Sequence, residues 1–231
     1  MIKGILFDKD GTLIEFEDTW HKIFKEIFRT LQEQYGLSKA KTDQIKEISG
    51  FLEDSFKKES LIQYATVDEI TTQWEDVIAD SFFTQQRLKQ IMEEHSKDSA
   101  VEIVPMPGAI KTVKSLYNEG YILGLATADS KESTLDNLKR LGIKDCFHFI
   151  GSDDGFYRGK PDPHMGESFC EAHGMVPEEV LYVGDSVTDM VFAEECGFHF
   201  IGIKGTNNSW EEFRDKGYLT VKNLNELETL I

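Results

Sequence analysis

The sequence contains few cysteines, and their spacing suggests no cysteine chemistry. Its 231 residues include three, Cys146, Cys170 and Cys196, which are widely spaced and form no Cys-x-x-Cys pair. An odd number of isolated cysteines does not indicate a disulfide framework. We therefore expect reduced, buried thiols in a cytoplasmic protein.

Long apolar runs are also missing. A membrane-spanning helix needs about 20 consecutive apolar residues, and no segment of the sequence approaches that length. A strand-like pattern begins at residue 2, so we expect no signal peptide. Together these features predict a cytoplasmic protein with no membrane partner.

Basic residues are scarce relative to acidic ones. The chain has 25 lysines and arginines against 42 aspartates and glutamates, which gives a formal net charge of -17. This balance argues against nucleic acid or an anionic membrane as a partner. An anionic substrate would need a locally positive site, which a bound metal ion and a well-placed lysine can provide.

The first residues carry the pattern with the clearest chemical meaning. The short apolar run 2–7 predicts a buried strand, and Asp8, Asp10 and Gly11 follow it directly. An aspartate at a strand end can act as a nucleophile toward phosphorus, a second one can act as general acid and base, and carboxylate oxygens suit Mg²⁺. The alternative is an ordinary Asp-Gly turn with solvated acids, and this pattern alone does not separate the two.

Residues 17–98 have a helical pattern without a convincing alternating strand. The first helix should have Asp18 or Thr19 as its N-cap and Gly36 as its C-cap. Asp68 could cap a later one. The other residues at helical spacing include Ile45, Ile48, Phe56, Leu61, Tyr64, Ile70, Trp74, Val77, Ile78, Phe82, Leu88, Ile91 and Met92.

The remainder of the chain alternates between helix and strand patterns. Strands are predicted over 121–127, 147–151, 180–184, 199–203 and 218–222, with helices between them and a terminal helix. Repeated β-α units imply an α/β fold with a doubly wound parallel sheet covered on both faces. The sequence therefore predicts a core domain of residues 1–16 and 102–231. A helical domain of residues 17–101 is inserted after the first strand through connectors near 14–18 and 99–107.

Three later motifs follow predicted strands. Thr127 ends one of them and can bind phosphate oxygens together with the backbone N–H groups beyond it, or it can merely begin a turn. Lys160 precedes Pro161, which favours an extended backbone; this lysine can hold a phosphate or can simply be solvated.

Asp185 ends another strand and can complete a Mg²⁺ site with Asp8. Asp189 follows four residues later, as a metal ligand, as a group that orients Lys160, or as a first-turn acid of a helix.

Taken in order, these four motifs resemble those of the haloacid dehalogenase-like hydrolase superfamily. Within it, the stretch 174–186 resembles phosphoglycolate phosphatase-like members, and the helical insert resembles their cap. The resemblance implies a Rossmann-like core in which Asp8 attacks phosphorus and Asp10 protonates the leaving group and then activates water. It also implies that Asp8, the Asp10 backbone carbonyl and Asp185 hold Mg²⁺. The phosphoryl oxygens would be bound by Thr127, the Ala128 N–H and Lys160.

The function that follows is a Mg²⁺-dependent phosphatase for a small phosphorylated metabolite, such as phosphoglycolate or a sugar phosphate, working through an aspartyl phosphate. The alternatives are a phosphosugar mutase of the β-phosphoglucomutase type and a non-catalytic binding protein on the same fold. Many relatives carry a polar residue such as Asn at the position of Ala128. The resemblance therefore does not identify the substrate. We expect Gly50 and Phe51 in the insert, near Lys57 and Lys58, to contact the substrate, and the chain to be a monomer or a weak homodimer.

Overall fold

The structure is a computed structural model, and it describes residues 1–57, 60–97, 102–205 and 209–231. The chain forms two compact units. The first contains Met1–Glu15 and Ile103–Ile231, and the second contains Phe16–Glu102.

The first unit is built on a six-stranded sheet in which every pairing is parallel. Its strands lie in the order β3-β2-β1-β4-β5-β6. Their bounds are β1 Gly4–Phe7, β2 Ile122–Ser130, β3 Phe149–Asp153, β4 Val180–Gly184, β5 His199–Ile203 and β6 Leu219–Val221. The predicted α/β class is confirmed, and β1 lies between β2 and β4.

Apolar side chains cover both faces of this sheet. Successive residues of a strand point to opposite faces, and in β1 Ile5 and Phe7 belong to one buried cluster while Leu6 belongs to another. The α-helices of this unit are α6 Ala109–Asn118, α7 Lys131–Arg140, α8 His164–His173, α9 Val187–Cys196 and α10 Trp210–Asp215. A doubly covered parallel sheet explains why its strands read as short, continuous apolar runs.

Several boundaries in this unit differ from the prediction, most of them by one or two residues. Strand β2 continues to Ser130 instead of ending at residue 127, because its pairing with β3 resumes after a register shift between Ala126 and Ser130. Strand β3 begins at Phe149, two residues later than predicted. The expected terminal helix is the 3₁₀ helix Leu224–Thr229.

The two segments next to the second unit run side by side within the first. The Met106 N–H donates to the Leu13 carbonyl at 2.9 Å, and the Glu15 N–H donates to the Val104 carbonyl at 2.8 Å. The connectors were expected near 14–18 and 99–107. The structure shows 16–18 to be helical, and residues 98–101 of the other connector lie outside the described residues, as does Lys58.

The second unit is helical in its regular structure. Its helices are α1 Phe16–Glu33, α2 Lys39–Ser49, α3 Leu61–Tyr64, α4 Val67–Ile78 and α5 Gln85–Ser96. They enclose a core of their own that is rich in aromatic rings, including the fully buried Trp74. The aromatic residues at helical spacing therefore serve packing.

The predicted helix starts in this unit were wrong in detail. Helix α1 begins at Phe16, so Asp18 is a first-turn acid, where a negative charge favours the helix dipole, and Thr19 is buried. The N-cap of α4 is Thr66, whose hydroxyl accepts from the Glu69 N–H, so Asp68 lies inside the helix.

Some residues expected in helices lie outside them. Phe82 follows α4, and Phe56 forms an isolated antiparallel bridge with Phe51. Gly36 lies three residues beyond α1 with φ +72°, where the chain turns away. An isolated bridge such as that between Phe51 and Phe56 leaves no periodic pattern in the sequence, which is why it was not predicted.

The structure also bears on the expectations for membrane helices and for the cysteines. No helix in the described ranges is both long and apolar enough to cross a bilayer. All three cysteines are described, and they are buried free thiols, as expected.

The turn that follows α2 is anchored to the core of the second unit. Ser49 is buried and its hydroxyl accepts a hydrogen bond of 2.7 Å from the indole N–H of Trp74. Gly50 adopts φ +72°, and the ring of Phe51 stacks on His21 with centroids 4.5 Å apart.

We predict that Ser49→Ala destabilises the protein, because it leaves the buried indole N–H of Trp74 without its acceptor. The expected loss is about 1–3 kcal/mol in the free energy of unfolding, measured by urea denaturation. A Trp74→Phe background has no indole donor, so Ser49→Ala should cost much less there. An equal cost in both backgrounds would show that this hydrogen bond does not stabilise the turn.

Candidate active site

Three of the predicted site residues come from neighbouring strands of the sheet. Asp8 follows β1, and its N–H donates to the Val183 carbonyl at 2.9 Å, which continues the pairing of β1 with β4. Asp185 follows β4 directly, and Thr127 is the sixth of the nine residues of β2. Because parallel strands end at the same edge of a sheet, these side chains lie where ligands bind in doubly wound folds.

A buried lysine joins two of the acids. The Lys160 ammonium donates to Asp8 Oδ1 and to Asp189 Oδ1, both at 2.6 Å. It also donates to the hydroxyl of Tyr182 at 3.2 Å. The side chains of Lys160, Asp8 and Asp189 are at most 8% exposed, so these are charge-assisted hydrogen bonds in a dry setting.

Asp189 has partners on both carboxylate oxygens. Besides Lys160, Oδ1 accepts from the Tyr182 hydroxyl at 2.9 Å. Oδ2 accepts from the Ser186 hydroxyl at 2.6 Å and from the Ser186 N–H at 3.0 Å, in a capping box at the start of α9. A carboxylate has about four acceptor positions, and these four hydrogen bonds fix the side chain beside Lys160.

Burial and neighbouring charges set the pKa values of this network. Burial raises the pKa of the Asp8 carboxyl to about 7; Lys160 opposes this rise and the Asp189 carboxylate adds to it. Burial would also raise the pKa of Asp189, but Lys160 and Ser186 outweigh it and hold that pKa below its usual value. Burial lowers the pKa of Lys160, but Asp189 and Asp8 outweigh this effect and keep the pKa of the ammonium above its ordinary value.

The acids at this edge suit a divalent cation. Asp8, Asp185 and Asp189 are buried, and each presents a carboxylate oxygen within 4.8 Å of the others. A Cβ at either Gly11 or Gly205 would overlap the Asp185 carboxylate, so the two glycines leave this side chain the room that it occupies. Mg²⁺ prefers hard oxygen ligands of this kind, and these residues fit such an ion.

The second acid of the first motif has a separate partner. Lys9 is fully buried, and its ammonium lies 2.8 Å from Asp10 Oδ2 and 2.9 Å from Asp129 Oδ2. The Asp10 side chain is 18% exposed, more than that of Asp8 at 8%. The two acids of the motif therefore belong to two different ion-pair networks.

The expected phosphate-binding residues lie at the end of β2. Thr127 is buried, and its Oγ1 accepts from the Asp129 N–H at 3.1 Å. Ala128 is half-buried, whereas the residues on either side of it are buried. The structure thus brings Thr127 to the edge that also holds Asp8 and Lys160.

The expected substrate contacts of the insert belong to the second unit. Gly50 and Phe51 form the turn after α2 described above, and Lys57 is exposed. A contact of this turn with substrate stays a prediction.

Four residues at the site were missed from the sequence: Lys9, Asp129, Tyr182 and Ser186. The pattern Ser186-x-x-Asp189 is a variant of the capping-box signature, so it could have indicated that Asp189 is held by a helix start. Lys9 stands between two acids directly after a predicted buried strand, which could have indicated a buried ion pair. Nothing local marks Asp129 or Tyr182, because the lysines that they contact, Lys9 and Lys160 respectively, lie far away in the sequence.

Comparison with known proteins assigns the family. A model of haloacid dehalogenase-like hydrolases matches residues 5–203. The pyrophosphatase PpaX of Halalkalibacterium halodurans is 29% identical over 196 residues, covering 85% of this chain and 80% of that protein.

Solved structures show the same fold. A predicted phosphoglycolate phosphatase from Haemophilus somnus superposes with a TM-score of 0.74 at 19% identity, covering 99% of this chain and 97% of the other. CbbY from Rhodobacter sphaeroides, in complex with phosphate, gives 0.70 at 22% identity and covers 98% of this chain and 96% of its own.

The chain therefore belongs to the haloacid dehalogenase-like hydrolases. The resemblance read from four short motifs is confirmed, and so is the expected class of enzyme, a phosphoric ester hydrolase.

We predict that Gly11→Ala abolishes the stabilisation of the protein by Mg²⁺. Gly11 has φ +88°, and an added Cβ would overlap Asp185. The measurement is the melting temperature with and without Mg²⁺. Gly120→Ala is the matched control, since Gly120 has φ +92° but no atom within 4 Å of an added Cβ.

The control should lose about 1–2 kcal/mol from backbone strain alone and keep its Mg²⁺ response. A Gly11→Ala protein with a normal Mg²⁺ shift would contradict the proposed role of Asp185.

Proposed function

We propose that this protein is a Mg²⁺-dependent phosphatase that hydrolyses a small phosphorylated metabolite through an aspartyl phosphate. The observation that carries the proposal is the buried arrangement of Asp8, Lys160 and Asp189, with Asp185 beside it. A lysine that holds a carboxylate at 2.6 Å in a dry site orients that carboxylate and favours an anionic ligand next to it.

The proposed reaction has two steps. In the first, an Asp8 oxygen bonds to phosphorus while the bond to the leaving oxygen breaks, and Asp10 gives its proton to that oxygen. In the second, the Asp10 carboxylate takes a proton from water, whose oxygen attacks the phosphorus, and Asp8 is released as a carboxylate. A bound Mg²⁺ would neutralise charge on the phosphoryl oxygens, held by Asp8, Asp185 and the Asp10 carbonyl.

The remaining residues position the phosphoryl group. Lys160, the Thr127 hydroxyl and the Ala128 N–H donate hydrogen bonds to its oxygens. We place Asp189 behind Lys160 and not on the metal, because its four hydrogen bonds to Lys160, Tyr182 and Ser186 already occupy both oxygens.

The substrate class is supported by the relatives and by the small residue at position 128. One relative is named a pyrophosphatase, and one structural neighbour is described as a predicted phosphoglycolate phosphatase. Ala128 offers a backbone donor but no polar side chain for the leaving group. Pyrophosphate, phosphoglycolate, sugar phosphates and nucleotides therefore form the panel that tests the proposal, with Mg²⁺ and with chelator.

We predict that Asp8→Asn lowers turnover to background on every substrate of the panel, because an amide is a poor nucleophile and a weaker Mg²⁺ ligand. Acid-quenched wild-type enzyme should carry acid-stable, base-labile phosphate, and the variant should carry none. Asp145→Asn is the control for loss of one carboxylate, since the Asp145 side chain is 98% exposed.

Normal turnover of the Asp8→Asn protein would rule out the aspartyl-phosphate route. Phosphate appearing on a second sugar hydroxyl instead of in solution would identify a mutase. Full activity in excess chelator would exclude the metal requirement.

We further propose that the turn at Ser49, Gly50 and Phe51 contributes to substrate selectivity. The residues proposed to bind phosphate contact only the phosphoryl group. Discrimination between leaving groups must therefore involve other parts of the chain. The turn is well suited to this, because Ser49 is tied to Trp74 and Phe51 is stacked on His21. Its ordering therefore costs little entropy when a ligand binds.

We predict that Phe51→Ala changes the ratio of kcat/KM values between a large and a small substrate. The loss should be larger for a sugar phosphate than for 4-nitrophenyl phosphate. Phe82→Ala is the control, because Phe82 is an exposed aromatic residue of the same unit; it should leave the ratio unchanged. Equal losses on both substrates with Phe51→Ala would place selectivity elsewhere.

A further inference from the structure

The structure contains a second buried ion-pair network at the same edge of the sheet. Lys9 has no exposed side-chain surface, and its ammonium lies between Asp10 Oδ2 at 2.8 Å and Asp129 Oδ2 at 2.9 Å. Neither Lys9 nor Asp129 belongs to the motifs that define the family resemblance. The network nevertheless includes Asp10, to which the proposed function assigns both proton transfers.

Stability alone is a poor explanation for this network. Removing charges from water is costly, and apolar side chains of similar size often stabilise a core at least as well as a buried ion pair does. What an ion pair provides and an apolar residue does not is a fixed orientation for each carboxylate.

The network is also tied to the phosphate-binding strand. Asp129 Oδ1 accepts from the Ser130 N–H at 2.8 Å, and the Asp129 N–H donates to Thr127 Oγ1 at 3.1 Å. Hydrogen bonds and ion pairs therefore lead without interruption from Thr127 through Asp129 and Lys9 to Asp10.

We propose that Lys9 and Asp129 are positioning residues that hold the Asp10 carboxyl group in a fixed orientation at the phosphoryl site. The inference rests on the proposed function and assigns new roles within it. Lys9 transfers no proton. It fixes Oδ2 of Asp10, so that the proton moves between Asp10 and the leaving oxygen as the phosphorus–oxygen bond breaks, and between water and Asp10 in the second step.

The test uses two substrates of similar shape whose leaving groups differ in basicity. Phenyl phosphate releases a basic phenolate and needs a proton from Asp10, whereas 4-nitrophenyl phosphate releases a much weaker base and needs it far less. The value of kcat/KM reports the steps up to departure of the leaving group. Lys9→Met should lower it by about 10²-fold for phenyl phosphate and by less than about 10-fold for 4-nitrophenyl phosphate, as expected for lost acid catalysis.

Two further variants test the same proposal if Lys9→Met does not fold. Asp129→Asn retains the pair of Lys9 with Asp10 and should show the same preference to a smaller extent. The double variant Lys9→Met/Asp129→Asn removes one charge of each sign, so it should regain stability without regaining activity on phenyl phosphate. Leu227→Ala, a buried core change in the 3₁₀ helix Leu224–Thr229, controls for destabilisation and should affect both substrates equally.

Equal losses on the two substrates in all Lys9 and Asp129 variants would overturn the positioning role and leave the proposed function intact. Recovery of phenyl phosphate hydrolysis in the double variant would do the same, because the network would then be merely structural. Wild-type protein that hydrolyses neither ester with Mg²⁺ would instead overturn the proposed function, and this inference with it.

Discussion

Repulsion between buried carboxylates is the constraint on which this site depends. Three buried acids, Asp8, Asp185 and Asp189, lie within a few ångströms of one another, in a chain whose formal net charge is -17. Lys160 forms ion pairs with two of them, Asp8 and Asp189. A further cation would reduce the repulsion between the three acids, which is why the geometry fits a divalent ion together with an anionic substrate.

The same constraint accounts for the arrangement of the first motif. Three consecutive residues, Asp8, Lys9 and Asp10, supply members of two networks: Asp8 pairs with Lys160, and Asp10 pairs with Lys9. Strand β1 ends at Phe7, and beyond it Asp8 meets Lys160 while Lys9 meets Asp129. Each acid thereby has its own lysine, and neither depends on the other for compensation.

The sequence could predict what local patterns determine. Strands β4 and β5 match their predicted bounds, since buried parallel strands are continuous apolar runs with glycine or polar residues at their ends. The end of β2 was missed because its pairing with β3 resumes only at Ser130, after a register shift that follows Ala126. At the site, motif order identified Asp8, Lys160 and Asp185 as candidates, but Asp129 is separated from Lys9 by 120 positions and no local pattern connects them.

Environment gives the two acids of the motif different chemistry. Burial raises the pKa of Asp8 to about 7, so without a cation its carboxylate is only partly ionised near neutral pH, and the folded state loses stability as pH rises from the unfolded value toward 7. A divalent ion held by these acids would favour the ionised form of Asp8, which the proposed function requires. Asp10 is more exposed and is held by Lys9 instead. Two identical carboxyl groups thus differ in burial and in partners, and this difference supports the different roles that we propose for them.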